Sequence, residues 1–243
     1  MTRSVSGWEV CGATCAGPAH RHDKVPNQDR WCRTRSRFGI GVVVCDGLGS
    51  AEQARFGATA ACAAVTRAVP LWLAHDDASD DQLIRLIHVL WAMRVNSYGQ
   101  RNCATTCLFG LTLPAGGVLL GQLGDGIILL EAPDASVSPL VAPRKRFGNE
   151  TTGLGIATEI GEWTIRRFPP DAIRLALLAT DGVADDILDS ERSRFVRHFR
   201  NEILTLPPPA RGAGLRRTLR AWPTPGHIDD KTLALLWRAQ PSA

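Results

Sequence analysis

The amino-acid sequence predicts an α+β fold built on antiparallel sheet, and three observations carry that reading. Between Thr105 and Leu130, short apolar strands follow one another with only turns between them, the pattern of antiparallel pairing. Helical patterns are grouped before and after that run, where a parallel α/β fold would alternate them with strands one for one. An apolar, β-branched run, Gly41-Val-Val-Val-Cys45, stops abruptly in Asp46-Gly47-Leu48-Gly49, which reads as a buried strand delivering a carboxylate into a tight turn.

Taken in order, Ser6 to Ala16 alternates and is rich in small residues, an edge or early strand. Gly17 to Asn27 is read as a polar loop, because Gly17-Pro18 and Pro26 interrupt it. Trp31 to Cys45 suggests a hairpin with an arginine-rich connection at Arg33 to Arg37. Ser50 and Gln53 have capping-box spacing, so a helix is expected from Ser50. Its stripe of Ala54, Ala58, Ala61, Cys62, Val65 and Val69 is small enough to pack close to a sheet. Ser79 and Gln82 repeat the spacing ahead of a second helix with a wide apolar face: Leu83, Ile84, Ile87, Leu90, Trp91 and Val95. His88 on that helix is read as a core residue. Thr105 to Leu113 alternates as if one side were buried, Val118 to Leu123 returns, and Ile127 to Leu130 follows. Pro133 to Glu162 is of low order. Trp163 to Phe168 and Leu175 to Thr180 are strands; helices are expected over Ala184 to Asp189, Arg192 to Leu204 and Ala210 to Leu219, with Pro207-Pro208-Pro209 as a break. Leu233 to Trp237 closes the chain as a strand.

Composition excludes several classes. The chain has 243 residues, enough for one large domain, and a net charge of +4, too mild to indicate nucleic acid. The sequence shows neither a signal-peptide core nor an 18-residue apolar run, so no membrane span is expected. Seven cysteines, several inside apolar runs (Cys45, Cys62, Cys107), fit reduced core thiols of a cytoplasmic protein. Cys11, Cys15, His20 and His22 contain zinc-ligand types, but their spacing leaves little chain to wrap a tetrahedral site. Eight arginines between Glu191 and Arg220 read as a solvated helical face, with an anionic partner as the alternative.

The residues that point to chemistry are aspartates. Asp46, Asp125 and Asp181 stand where apolar runs end, Asp229 stands just before one begins, and Asp29 lies in a turn beside the first sheet. Asp-Gly is a common hairpin signal, and for Gly124-Asp125-Gly126 that explanation and a functional one stand side by side. For Asp46-Gly47 and Asp181-Gly182 it is weaker, since a helix should follow each. Carboxylates gathered without basic partners repel one another, and a divalent cation removes that cost. Oxygen donors without histidine favour a hard ion, Mg²⁺ or Mn²⁺.

Six motifs in this order are Asn27-Gln28-Asp29, Val44-Cys45-Asp46-Gly47-Leu48-Gly49-Ser50, Thr105-Thr106, Gly124-Asp125-Gly126, Ala179-Thr180-Asp181-Gly182 and Asp229-Asp230-Lys231-Thr232. Together they resemble the metal-dependent serine/threonine protein phosphatases of type 2C (the PPM family), over about Gly7 to Trp237. Phe147 to Thr152 is similar to a compact bacterial subgroup. The resemblance implies a single phosphatase domain over 1–243, folded as a four-layer α-β-β-α sandwich with two central antiparallel sheets flanked by helices. It implies hydrolysis of phosphoserine and phosphothreonine on protein substrates, opposite a Ser/Thr kinase in signalling, with two Mn²⁺ or Mg²⁺ ions and room for a third. Carried over residue by residue, Asp46 would bridge two ions, the carbonyl of Gly47 would bind one, and Asp181 and Asp229 would complete a shell. Asp29 would hold a metal-bound water, and Asp125 would serve the third ion. Lys24, with Arg21 as substitute, would meet the substrate phosphate.

The sequence departs from the family at Leu48, where many members have a histidine, at Gln28 in place of a glutamate, and at Ile127 in place of an arginine. None of these removes a core ligand. Arg144-Lys145-Arg146 falls where the family has a variable flap, with contact to an acidic phosphopeptide and a solvated loop as its two readings. Two other functions compete: a phosphatase-like module that binds a signalling partner, and a phosphoesterase acting on a non-protein substrate. The retained Asp46, Asp181 and Asp229 argue against the first, and the lack of a basic, aromatic groove argues against a nucleic-acid form of the second.

Overall fold

The computed structural model describes residues 7–239 except 38, 76, 142–151 and 158. In chain order, β1 (Trp8–Cys15) leads through a short helix α1 (Pro18–Asp23) to β2 (Arg30–Ser36) and β3 (Gly39–Cys45), then to helices α2 (Ala54–Trp72) and α3 (Asp80–Val95). Strands β4 (Cys107–Thr112), β5 (Val118–Leu123), β6 (Ile127–Glu131), β7 (Val137–Pro139), β8 (Thr164–Phe168) and β9 (Leu175–Ala179) come next. Helices α4 (Asp181–Ala184), α5 (Arg192–Ile203) and α6 (Pro208–Arg220) precede the last strand, β10 (Lys231–Arg238).

The strands form two antiparallel sheets, ordered β1-β10-β9-β6-β7 and β2-β3-β4-β5-β8. Val42, Val44, Leu108, Leu120, Ile128, Leu178 and Leu236 interdigitate between the sheets. The small-residue stripe of α2 and the wide face of α3 close the outer face of the second sheet; α5 and α6 close that of the first. The result is the four-layer α-β-β-α sandwich. Because each sheet is covered on both faces, β4 buries all its residues: Cys107, Phe109 and Leu111 toward the helices, Leu108 toward the other sheet. The one-sided burial expected for Thr105 to Leu113 is therefore replaced by burial on both faces.

The local expectations fare differently. The Ser79–Gln82 capping box forms, with Gln82 N on Ser79 Oγ and Ser79 N on Gln82 Oε1. Ser50–Gln53 does not form one, and α2 starts at Ala54. The amide that Ser50 would cap, that of Gln53, donates instead to the Asn102 carbonyl at 2.7 Å. Gly17 to Asn27 is not all loop: Pro18 starts α1, and Lys24 ends it in the left-handed conformation at φ 57°. Arg33 and Arg35 lie within β2 rather than in its connection. The helix expected over Ala184 to Asp189 is not formed: α4 is a single turn that ends at Ala184, and a 3-10 turn follows only at Asp189–Glu191. Pro208 and Pro209 sit inside α6, in the first turn where a missing N–H costs nothing. His88 accepts from the indole of Trp163 at 3.0 Å, a packing role.

Of the arginine run, Arg192, Arg200 and Arg211 turn to Asp189, Glu131 and Glu9, so part of it staples helices to strands. No helix of the described residues is long and apolar enough to cross a membrane.

The segment Gly124-Asp125-Gly126 is not a hairpin. β5 pairs with β4 and β8, while β6 pairs with β7 and β9 in the other sheet. Asp125 therefore sits on a crossover between the two layers, held where the Gln122 side chain donates to the Gly126 carbonyl at 2.7 Å.

Candidate active site

One end of the sandwich gathers the ends of strands from both sheets. Asp46 follows β3 and Asp125 follows β5 in one sheet; Asp181 follows β9 and Asp229 precedes β10 in the other. All four line a cavity of about 330 Å³, together with Gly47, Leu48, Gln28, Thr106, His20, Ile228 and Asp230. A lining by five carboxylates, Asp230 included, is what six motifs scattered over 200 residues of chain become once the two sheets are stacked.

Each aspartate is fixed by its backbone. The Asp46 amide donates to Thr106 Oγ1 at 2.9 Å, and its carbonyl accepts from Thr105 Oγ1 at 2.7 Å and from the Thr106 amide at 2.8 Å. Gly47 then pairs with Thr105 in an isolated bridge. A Cβ at Gly47 would come within 2.5 Å of the Ala54 carbonyl, so the approach of α2 behind the cavity requires glycine here. Gly182 is tighter: its Cβ would meet the Asp230 carbonyl oxygen at 1.8 Å. That contact sets Asp181 beside the Asp229-Asp230 turn. Asp181 accepts from the Gly182 amide at 2.6 Å, and Asp229 accepts from the Asp230 amide at 2.7 Å.

Asp29 is buried behind the cavity at 1% exposure. Its Oδ2 accepts from Thr180 Oγ1 at 2.8 Å, while Oδ1 is buried with no hydrogen-bond partner. Lys24 is exposed at the end of α1 and is not among the residues lining the cavity; Arg21 donates to the Ala16 carbonyl. Arg144-Lys145-Arg146 and Phe147 to Thr151 lie outside the described residues.

The electrostatics are those of acids crowded together. Burial pushes Asp46 well above the usual carboxylate range, and the charges of Asp29 and Asp181 push it further. Burial raises Asp29 to about 7, with the neighbouring Asp46 carboxyl and the Thr180 hydroxyl opposing the rise. Asp181 is raised by burial and by Asp125 and Asp229. The lining holds no lysine or arginine among the described residues. An orphaned buried carboxylate oxygen beside mutually repelling acids fits a hard divalent cation, whose charge would reverse each of these shifts.

His20 and Asp230 were not legible as site residues. Asp230 is a buried hub: Oδ1 accepts from the Gly17 amide at 2.7 Å, and Oδ2 accepts from the Gln28 amide at 2.7 Å. His20 Nδ1 lies 2.8 Å from the same Oδ2. His20, Asp229 and Asp230 present ligand atoms within 4.8 Å of one another. The doubled Asp229-Asp230 was the available signal: one acid faces the cavity and the other ties down the loop that precedes Asp29. Cys11, Cys15, His20 and His22 do not assemble, since Cys11 and Cys15 face the α6 side of β1 while His22 is exposed.

The chain matches the family model described as protein phosphatase 2C over residues 16–222. Comparison with curated proteins gives no significant sequence match. Among solved structures, a bacterial serine phosphatase is 16% identical with a TM-score of 0.67, over 97% of this chain and 99% of that one. The serine/threonine phosphatase Stp1 from Staphylococcus aureus is 16% identical with a TM-score of 0.65, over 94% of each chain. RsbX in complex with magnesium is 14% identical with a TM-score of 0.57, over 95% of this chain and 94% of that one. At these identities the neighbours speak for the fold, and the family match speaks for descent. This chain belongs to the protein phosphatase 2C family, which is metal-dependent and acts on phosphoproteins.

Proposed function

We propose that this chain, as one domain, hydrolyses phosphoserine and phosphothreonine on proteins with Mn²⁺ or Mg²⁺, opposite a Ser/Thr kinase in signalling. The observation that supports this most is the convergence of Asp46, Asp125, Asp181 and Asp229 on one cavity whose lining, among the described residues, contains neither lysine nor arginine. Asp46, the Gly47 carbonyl, Asp181 and Asp229 would hold two ions, and Asp125 a third. When bound, such ions supply a nucleophilic water near neutral pH and offset charge on the phosphoryl oxygens.

The remaining work falls to the chain's own groups. Thr105 and Thr106 hold the Asp46 backbone at both its N–H and its C=O, so its carboxylate is presented without reorganisation. Asp29 offers Oδ1 as an acceptor that would orient a water, since Oδ2 is already taken by Thr180. Lys24, exposed on the helix whose Ala19 and His20 line the cavity, is the cation proposed to meet the substrate phosphate. Leu48 on the lining cannot donate a proton, so the leaving alkoxide would be protonated from solvent.

Turnover of a phosphothreonine peptide and of p-nitrophenyl phosphate, with Mn²⁺, with Mg²⁺ and with EDTA, tests this against an Asp46→Asn control. Peptide hydrolysis that needs the metal and Asp46 is the expected result. A folded wild-type protein that is silent with both metals would overturn the proposal in favour of a binding module.

A further inference from the structure

Four of the seven cysteines form a line that the proposed reaction does not use. Cys32 on β2, Cys62 on α2, Cys45 at the end of β3 and Cys107 at the start of β4 meet where α2 packs on its sheet. Cys62 and Cys45 have their sulfurs 3.9 Å apart. On the other side of Cys62, the Cys32 thiol donates to the Cys62 carbonyl at 3.6 Å and lies 3.6 Å from Thr66 Oγ1.

Core packing alone would ask only for small apolar side chains here, and alanine, already abundant on α2, would supply them. Instead, two thiols, Cys32 and Cys45, flank Cys62. Its sulfur lies against Cys45 and the Cys32 thiol donates to its carbonyl; these two neighbours, with the nearby Arg30 charge, lower Cys62 below the usual thiol range against the cost of burial. Access separates Cys62 from the two deeper thiols, since Cys62 keeps 6% exposure and Cys45 and Cys107 have none, while Cys32 is the most open of the four.

We propose that Cys62 and Cys45 are an oxidisable thiol pair, a modification site whose reactant is hydrogen peroxide and whose product is a disulfide between α2 and the residue preceding Asp46. In the first step the Cys62 thiolate attacks one peroxide oxygen and the O–O bond breaks, giving a sulfenic acid at Cys62 and hydroxide. In the second the Cys45 sulfur attacks Cys62 sulfur, the S–O bond breaks and hydroxide leaves, taking up the Cys45 proton as water. Two thiols and one peroxide become one disulfide and two waters. The sulfurs have about 1.9 Å to close to reach the ~2.05 Å of a disulfide, a shift within the reach of side-chain rotation and a small helix movement. Cys107, opposite Cys45 on the neighbouring strand, also touches Cys45, but it is wholly buried.

Cleavage after arginine separates the candidates, since Cys32, Cys45, Cys62 and Cys107 fall in the fragments 31–33, 38–55, 56–67 and 102–144. The full-length protein, loaded with Mg²⁺, is treated with a few equivalents of hydrogen peroxide, blocked, digested without reductant and mapped by mass spectrometry. The expected product links 38–55 to 56–67 with loss of two hydrogens, disappears with dithiothreitol, is absent from Cys62→Ser and persists in Cys32→Ser. A wild-type map without that link, or with Cys32 or Cys107 in place of Cys45, overturns the proposal. The readout is a mass, so it stands or falls independently of phosphatase activity.

Discussion

Thr180 and Asp29 lie 151 residues apart in the chain and are joined by a 2.8 Å hydrogen bond, Thr180 Oγ1 donating to Asp29 Oδ2. The same hydroxyl accepts from the Thr232 amide at 3.1 Å, so one side chain ties the loop before β2 to both β9 and β10. This is why Thr180, although it stands at the N-cap of α4, makes no capping bond. Its hydroxyl is spent on holding the two halves of the carboxylate cluster together.

Thr180→Val should therefore act at a distance from any substrate. It keeps the shape but leaves a buried carboxylate oxygen and a buried amide without partners, which costs about 1–3 kcal/mol. Urea unfolding should show that loss with an unchanged slope, and the variant should need more Mg²⁺ for half-maximal thermal stabilisation. An unchanged midpoint would mean that the Asp29 loop is held by Asp230 alone.

The carboxylate cluster predicts a pH dependence for the metal-free protein. Asp29 titrates at about 7 in the folded state against 3.8 unfolded, and burial raises Asp46 as well. Between those values the folded chain binds more protons than the unfolded one, so stability falls as pH rises from about 4 to about 7. In EDTA the melting temperature should be higher at pH 5.5 than at 7.5, apart from any general charge effect read from the Asp46→Asn variant. Saturating Mg²⁺ should flatten or reverse that slope, because the bound charge favours the ionised carboxylates. A slope unaffected by Mg²⁺ would argue that the cluster is not where the ion binds.

Gly182→Ala tests the close approach of the two ligand-bearing turns. The added Cβ would lie 1.8 Å from the Asp230 carbonyl oxygen, which is backbone and cannot swing away. Overpacking of this kind costs about 1–3 kcal/mol, and here the strain separates Asp181 from Asp229. The expected result is a lowered melting temperature together with a weaker response to Mg²⁺. Gly49→Ala, whose Cβ would meet nothing within 4 Å, should show neither through contact and serves as the control.

What could be read from the sequence divides along physical lines. The strands, the two long helices and the strand-end aspartates were legible because apolar period and Asp-Gly punctuation are local. The Ser79–Gln82 cap formed because nothing else competed for the Gln82 amide, whereas the matching Ser50–Gln53 pattern lost its amide to Asn102. The role of Asp125 was ambiguous because a hairpin and a crossover have the same turn chemistry; only the assignment of β5 and β6 to different sheets separates them. Asp230 and His20 were missed because their partners are about 200 residues away, a relationship no spacing rule contains.

Asp46→Asn separates the energetic roles of the site most sharply. Asp46 lies between Asp29 and Asp181, and each of their charges opposes its own ionisation. Replacing it by asparagine removes one charge from that repulsion while the backbone remains clamped by Thr105 and Thr106. In EDTA at pH 7.5 the variant should thus melt above wild type, by roughly 2–4 °C for each kcal/mol relieved in a chain of this size. Adding Mg²⁺ should reverse the order, since wild type gains stability by binding the ion and the variant has lost its shared ligand. A site kept for function at the expense of stability gives that crossing of the two curves, as proteins commonly do where activity needs a destabilised arrangement. A variant that melts below wild type in both conditions would show instead that Asp46 is a structural residue, its charge already compensated within the fold.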